Sequence, residues 1–255
     1  MTVGRASDPW FSIPVPKPAA RLRLFCFPYA GGGASAYFQW SRALGDEAIE
    51  VLAVQPPGRE NRLREAPFRD LPSLVASLAG AIDARRDRPF AFFGHSMGAL
   101  VAFELARSLG LGGGARPSHL FVSGAHAPDV PREEEPLHPI ADDDAFVEAV
   151  ASRYGGIPRI VLEHAELRGV ILPALRADMA ITESYAFEDA PPLACGISAY
   201  GGTRDPLVSE DRLARWRDHT SGGFSYRLFE GDHFFLGEAR DALLGDMTAT
   251  LKRYV

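Results

Sequence analysis

The sequence has few cysteines, no block of basic residues and no long apolar run, and each absence excludes a class of protein. Its 2 cysteines, Cys26 and Cys195, fall in strand-like apolar runs, so we expect buried free thiols rather than a disulfide or a catalytic cysteine. Lysine and arginine form no long block and the formal net charge is -6, which excludes the charge pattern of a nucleic-acid binder. No apolar run is long enough to cross a bilayer.

The first residues also lack the apolar core of a signal peptide, because residues 1–18 are polar and rich in proline. We therefore expect a cytoplasmic monomer without a membrane or nucleic-acid partner. The 7 histidines show no spacing typical of a metal site, so no metal and no cofactor is expected. A chain of 255 residues can form one α/β domain with an insertion or two small domains.

The segment Phe90–Phe93 is apolar and leads into Gly94-His95-Ser96-Met97-Gly98, which is followed by a helical pattern. A G-x-S-x-G sequence between a strand and a helix is typical of a nucleophile elbow, a sharp turn that exposes a serine hydroxyl. Five-residue patterns of this kind also occur by chance. A serine nucleophile in addition needs a base and oxyanion donors, which other parts of the chain must supply.

Strand and helix patterns alternate along residues 21–124, which predicts a parallel sheet with helices on both faces. The alternation stops in residues 125–192, where two helical patterns occur, the second of them interrupted by Pro173. Strand patterns return in residues 193–255. We therefore expect an α/β fold whose core comprises residues 21–124 and 193–255.

The helical segment 125–192 is bracketed by proline-rich loops at the carboxyl edge of the predicted sheet. This position favours a lid over the site, and an ordinary helical subdomain without a gating role is the alternative. Residues 1–20 contain prolines at positions 9, 14, 16 and 18. We expect them to form an extended arm that lies on the surface or is partly disordered.

Three residues with complementary chemistry follow strand patterns in the order Ser96, Asp205, His233. This is the order of nucleophile, acid and base in the α/β-hydrolase fold, and the carboxyl ends of parallel strands share one edge of the sheet. We expect His233 to act as general base on Ser96 and Asp205 to orient His233. Asp232 is a weaker candidate for the acid, because neighbours on an extended segment point apart. Ser35 and Ser123 also lie near strand ends, but neither is in an elbow.

A glycine-rich turn, Pro28-Tyr29-Ala30-Gly31-Gly32-Gly33, follows the first core strand pattern. It contains neither G-x-G-x-x-G nor a Walker lysine, which argues against a phosphate cradle. Beside a nucleophile elbow, such a turn supplies an oxyanion donor, and we assign the N–H groups of Ala30 and Met97 to this role. Without the elbow it would be interpreted as a flexible turn. The candidate substrate contacts are the residues that flank these turns, namely Tyr29, Gly31, His95 and Phe234.

These segments together resemble those of the type II thioesterases that accompany polyketide synthases and non-ribosomal peptide synthetases. The resemblance covers nearly the whole chain after about residue 20. It rests on the segments Phe27-Pro28-Tyr29-Ala30-Gly31-Gly32, Gln55-Pro56-Pro57-Gly58-Arg59, Gly94-His95-Ser96-Met97-Gly98, Leu175-Arg176-Ala177-Asp178, Gly201-Gly202-Thr203-Arg204-Asp205-Pro206 and Gly231-Asp232-His233-Phe234-Phe235.

The resemblance implies an α/β-hydrolase fold and an editing enzyme that hydrolyses misprimed or stalled acyl groups from the phosphopantetheine thiol of a carrier protein. It also implies a helical lid over an acyl chamber and a triad of Ser96, Asp205 and His233. A carboxylesterase or acyltransferase that acts on small molecules would use the same triad, and a carrier-binding module is a third hypothesis. Carrier proteins are generally acidic, so one interpretation of several arginines is that they bind a carrier protein. The other interpretation is that they are solvated residues on the surface. These arginines are Arg59, Arg62, Arg64, Arg153 and Arg159.

Overall fold

The predicted strand patterns and one short N-terminal strand form a seven-stranded sheet in the computed structural model, which describes residues 8–45, 48–113 and 116–255. The strands are β1 Phe11–Ser12, β2 Leu22–Phe27, β3 Ile49–Val54, β4 Phe90–His95, β5 His119–Ser123, β6 Gly196–Gly202 and β7 Phe224–Phe229. Their order in the sheet is β1-β3-β2-β4-β5-β6-β7. Only the pair of β1 and β3 is antiparallel among these strands, so the sheet is mostly parallel, as predicted.

Helices connect the strands and cover the sheet. The α-helices are α1 Trp40–Ala43, α2 Leu71–Asp83, α3 Met97–Leu111, α4 Asp143–Tyr154, α5 Arg159–Glu163, α6 Ala165–Glu183, α7 Glu210–Ala214 and α8 Arg240–Leu251. Short 3-10 helices occupy Ala34–Tyr37, Glu60–Arg62, Arg215–His219 and Lys252–Tyr254. Within the described part of the chain, no helix is both long enough and apolar enough to cross a bilayer.

The central strands are buried on both faces, which explains their nearly continuous apolar sequences. One apolar cluster packs α2 and α3 against the sheet, and includes Leu78 and Leu105. A second cluster packs α1 and α8 against it, and includes Trp40 and Leu244. Helices therefore cover both faces, and the α/β-hydrolase fold expected from the sequence is confirmed.

The N-terminal segment differs from the expected surface arm. Phe11 and Ser12 form β1, which pairs with β3 as an edge strand, and Trp10 and Phe11 are buried against the core. Apolar burial thus keeps part of this proline-rich segment on the sheet. The first seven residues of the expected arm lie outside the described residues.

The helical segment between β5 and β6 comprises α4, α5 and α6. It has its own apolar cluster, in which Phe146 and Val150 of α4 pack near Leu175 and Met179 of α6. The expected interruption at Pro173 is wrong, because α6 continues through it. Proline removes one N–H from the helix, and the carbonyl it would have served, that of the exposed Gly169, can be hydrated instead.

The junction of β4 and α3 is a tight turn. Ser96 lies between the two elements with φ 53° and ψ -119°, a strained backbone for a residue with a side chain. A Cβ atom on Gly94 would lie 2.1 Å from the Gly98 carbonyl oxygen, and one on Gly98 would lie 2.1 Å from the Phe27 carbonyl oxygen. Both glycines of the G-x-S-x-G segment are therefore required by packing.

We predict that Gly98→Ala lowers the free energy of unfolding by about 3 kcal/mol, because the added methyl group overlaps the backbone of β2. Urea unfolding measures the change. Gly80→Ala is the matched control, since Gly80 is exposed on α2 and has nothing within 4 Å of the new methyl group. This control gains roughly 0.5–1 kcal/mol from helix propensity. Equal stabilisation of both variants would contradict the packing argument.

A buried histidine makes the fold sensitive to acid. His119 begins β5, and its Nε2 lies 2.9 Å from Ser198 Oγ. Burial, and next the positive charge of Arg253, lower the pKa of His119 to about 4. The unfolded chain therefore binds more protons than the folded one between about pH 6.5 and pH 4, so stability falls as the pH is lowered through this window.

We predict that His119→Gln flattens this dependence, because glutamine can still bond Ser198 but does not titrate. Between pH 6.5 and pH 4 the free energy of unfolding of the unmodified protein should decrease more steeply than that of the variant, by up to ~1.4 kcal/mol per pH unit. Urea titrations at a series of pH values measure both slopes. Parallel slopes would show that His119 does not set the acid sensitivity.

Candidate active site

The three turns predicted to carry the chemistry meet at the carboxyl edge of the sheet. Ser96 follows β4, Asp205 follows β6 and His233 follows β7. Ser96 Oγ–H donates to His233 Nε2 at 3.1 Å, and His233 Nδ1–H donates to Asp205 Oδ2 at 2.8 Å. The side chains of His233 and Asp205 are 4% and 0% exposed, so this chain of hydrogen bonds is shielded from water.

The two candidate acids occupy different positions. Asp205 faces His233, and its Oδ1 accepts a hydrogen bond from the Leu207 N–H at 2.9 Å, which fixes the carboxylate. Asp232 Oδ1 accepts from the Phe234 N–H at 2.8 Å within its own turn. The structure therefore pairs His233 with Asp205, and Asp232 closes the turn that carries the histidine.

The two expected oxyanion donors belong to residues near Ser96. Met97 is the first residue of α3, so its N–H has no acceptor within the helix and lies at the positive end of the helix dipole. Ala30 lines a cavity together with Ser96. It lies in a tight turn in which the Gly32 N–H donates to the Tyr29 carbonyl at 2.9 Å. Both N–H groups are thus on rigid backbone next to the serine.

A buried ion pair of Arg59 and Asp178 contacts the turn that contains Ala30. Arg59 and Asp178 have side chains only 7% and 4% exposed and pair through both guanidinium NH₂ groups. Asp178 Oδ2 accepts from the Gly31 N–H at 2.7 Å, and Arg59 Nη1–H donates to the Gly32 carbonyl at 3.1 Å. The N–H of Gly31 is therefore engaged by Asp178 rather than by a substrate.

Two of the arginines considered for carrier docking are buried, so the docking interpretation is wrong for them. Arg59 is paired with Asp178, and the buried Arg62 is paired with Glu65, so neither presents a free charge to a partner. Arg64 and Arg159 are exposed, Arg153 is partly so, and their docking role stays a prediction. The sequence contained both halves of the Arg59–Asp178 pair in its family segments, but 119 residues separate them and no local pattern connects them.

The candidate substrate contacts fall into two groups. Tyr29 and Phe234 stack edge to face, with ring centroids 4.9 Å apart, and both line the smaller cavity beside Ser96. His95 is completely buried and packs against His233 at a centroid distance of 5.2 Å. It therefore has no surface to offer a substrate and instead supports His233.

The surroundings of His95 favour its neutral form. Its Nδ1 lies 3.0 Å from Ser123 Oγ. Burial, and next the positive charge that His233 carries when protonated, hold the pKa of His95 well below its usual range. A neutral ring beneath His233 adds no competing positive charge to the site.

Two cavities meet at Ser96. The larger has a volume of about 430 Å³ and extends toward the loop after β5, where His126 and Val130 line it. The smaller, of about 50 Å³, lies beneath α4 and α6. Tyr154 of α4 and Thr182 of α6 line both cavities. The sequence marked these two residues only as parts of helical patterns, so it gave no signal of their position.

The residue types at the site define its chemistry. A serine hydroxyl bonded to a histidine that a buried carboxylate orients is an arrangement for acyl transfer through a covalent acyl-enzyme. No cluster of three possible metal ligands occurs within residues 8–45, 48–113 and 116–255. Cys26 is buried, and burial raises the pKa of its thiol, so it is unsuited to act as a nucleophile.

Comparison with known proteins agrees with this chemistry. A model of the thioesterase domain family matches residues 22–251. The chain is 43% identical to the gramicidin S biosynthesis protein GrsT of Aneurinibacillus migulanus, over 99% of this chain and 97% of that protein.

Solved structures give the same result. The type II thioesterase BorB from the borrelidin biosynthetic cluster superposes with a TM-score of 0.86 and 37% identity, covering 96% of this chain and 98% of BorB. The thioesterase RedJ from the prodiginine pathway of Streptomyces coelicolor superposes with a TM-score of 0.84 and 40% identity, covering 92% of this chain and 87% of RedJ. The chain therefore belongs to the thioesterase family and is a hydrolase of thioester bonds.

Proposed function

We propose that this enzyme is a type II thioesterase that hydrolyses aberrant or stalled acyl groups from the phosphopantetheine arm of carrier proteins in polyketide or non-ribosomal peptide biosynthesis. The observation that carries the proposal is the hydrogen-bonded chain from Ser96 through His233 to Asp205 at the point where two cavities meet. The gramicidin S, borrelidin and prodiginine pathways of its relatives support the pathway type.

The first half of the reaction transfers the acyl group to Ser96. His233 Nε2 takes the hydroxyl proton as Ser96 Oγ attacks the thioester carbonyl, and Asp205 stabilises the imidazolium that forms. The oxyanion accepts hydrogen bonds from the N–H groups of Met97 and Ala30. Such donors act most strongly when they are oriented before the charge develops, which the rigid turns around Ser96 provide.

The second half releases the acid. Collapse of the tetrahedral intermediate breaks the C–S bond, and the imidazolium of His233 gives its proton to the departing pantetheine sulfur. Water then enters, and His233 takes one of its protons as the water oxygen attacks the acyl ester of Ser96. Collapse of this second tetrahedral intermediate breaks the bond from the acyl carbon to Ser96 Oγ, and the imidazolium of His233 returns the proton to Ser96 Oγ. The products are a free carboxylic acid, the carrier thiol and regenerated enzyme. A thiol leaves readily, so the site needs no acid stronger than His233.

The two cavities suit a substrate with two arms. A carrier-bound thioester extends from its carbonyl group in two directions, along the acyl chain and along the pantetheine. The cavities likewise extend from Ser96 in two directions, and α4 and α6 cover them. We propose that residues 125–192 act as a lid over a core formed by residues 21–124 and 193–255. All groups of the site come from one chain, so one copy suffices for the chemistry. We propose that the enzyme is a cytoplasmic monomer.

We predict that Ser96→Ala lowers kcat by at least ~10⁴-fold on an acyl-carrier protein, because the nucleophile is lost. Intact-protein mass spectrometry follows the acylated carrier, which should persist. Ser184→Ala is the control, since Ser184 is exposed at the C-terminal end of α6, lines neither cavity at Ser96 and bonds only its own helix. Full turnover by the Ser96 variant would remove the basis of the mechanism.

Two variants test which aspartate pairs with His233 in catalysis. Asp205→Asn should lower kcat about 10⁴-fold, because an amide cannot stabilise the imidazolium and favours the wrong tautomer of His233. Asp232→Asn retains the hydrogen bond to the Phe234 N–H through its amide oxygen and should keep kcat within about two-fold. A larger loss in the Asp232 variant would reverse the assignment.

The substrate class is tested by comparing acylated carrier protein with a small ester of the same acyl group. We expect kcat/KM to be higher for the carrier. A clear preference for the small ester would instead indicate a carboxylesterase, and formation of a new ester with an added alcohol would indicate an acyltransferase.

A further inference from the structure

The buried pair of Arg59 and Asp178 joins three parts of the chain that are distant in sequence. Arg59 lies in the loop after β3, and Asp178 lies in the middle of α6. Both contact the turn Tyr29–Gly32, which we name the oxyanion loop. The pair therefore connects the lid segment, the core and the loop that carries the Ala30 N–H.

The contacts fix two backbone groups of the oxyanion loop. Asp178 Oδ2 accepts from the Gly31 N–H at 2.7 Å, and Arg59 Nη1–H donates to the Gly32 carbonyl at 3.1 Å. The second oxygen of Asp178 accepts from Arg59 Nη2 at 3.0 Å, which holds the carboxylate in the plane of the guanidinium. The bidentate ion pair thus positions both Gly31 and Gly32.

Because a peptide group is planar, the contacts of the ion pair also affect the direction of the proposed oxyanion donor, the Ala30 N–H. The N–H of Ala30 belongs to the same rigid plane as the carbonyl of Tyr29. That carbonyl accepts from the Gly32 N–H at 2.9 Å. Gly32 is held through its own carbonyl by Arg59, and Gly31 is held at φ 76°, in the left-handed region, by Asp178. The direction of the Ala30 N–H therefore depends on the ion pair.

We propose that Arg59 and Asp178 are positioning residues for oxyanion stabilisation, which they achieve by fixing the oxyanion loop. The inference rests on the proposed function, since it requires that Ala30 donate to an oxyanion formed at Ser96. Neither side chain touches the substrate. Their effect is on kcat rather than on substrate binding, because the oxyanion exists only in the transition state and the tetrahedral intermediate.

We predict that Asp178→Asn lowers kcat about 10²-fold and changes KM by less than about three-fold, as expected when one oxyanion donor is misaligned. Arg59→Lys keeps the positive charge but loses the bidentate geometry and should give a smaller loss in kcat. The affinity for an alkylboronic acid, which forms a tetrahedral oxyanion adduct with Ser96, should fall in parallel with kcat.

Glu65→Gln is the matched control. It removes the carboxylate partner of Arg62, a buried arginine three residues from Arg59, and leaves every contact of the oxyanion loop intact. Its kcat and boronic-acid affinity should stay within about two-fold of those of the unmodified enzyme. Active-site titration gives the concentration of folded enzyme, so lost protein is not counted as lost kcat.

The outcomes separate the two proposals. If Ser96→Ala is inactive but Asp178→Asn and Arg59→Lys lose only thermal stability, the pair is merely structural and the positioning role is overturned. If Ser96→Ala retains activity, the serine mechanism itself fails. If the Asp178 variant does not fold, Arg59→Lys decides, since unchanged kcat and boronic-acid affinity in that variant would overturn the inference.

Discussion

The close approach of α3 to β2 is the constraint on which the site depends. Without a Cβ atom, Gly98 allows the first turn of α3 to lie against the Phe27 carbonyl oxygen. The Tyr37 hydroxyl donates to the same oxygen at 2.7 Å, so this backbone group is held from two sides. The contact brings the start of the helix, with Met97, next to the oxyanion loop that continues from β2. Ser96 is then held at a closely packed junction of strand and helix rather than on a mobile loop.

Burial of charge gives the site its electrostatic character. Asp205 and Asp178 are both withdrawn from water, and each has a cationic or potentially cationic partner. Unpaired, either carboxylate would be strongly disfavoured in such surroundings, whereas paired it acts over a short distance with little screening by solvent. The first carboxylate orients His233 and the second orients backbone. Two buried carboxylates are thus hydrogen-bonded to groups near Ser96.

The sequence predicted those features that local pattern determines. Ser96, Asp205 and His233 each follow an apolar strand pattern at a turn, and parallel strands bring such turns to one edge. Features that depend on tertiary contacts could not be predicted from the sequence. Nothing local distinguishes the buried Arg59 from an exposed arginine. The β1 strand has only two residues among prolines, and α6 continues through Pro173 because tertiary packing outweighs the local penalty.

The anchoring of α6 restricts how the cavities can widen. Separating this helix from the core would break the bidentate pair of Arg59 and Asp178 and the hydrogen bond from the Gly31 N–H to Asp178. Helix α4 is joined to α6 in turn, because its Asp143 and Asp144 pair with Arg176 and Arg168. The short α5 between them has no buried residue. The buried pair of Arg59 and Asp178 therefore holds α6, and α4 through it, against the cavities at Ser96.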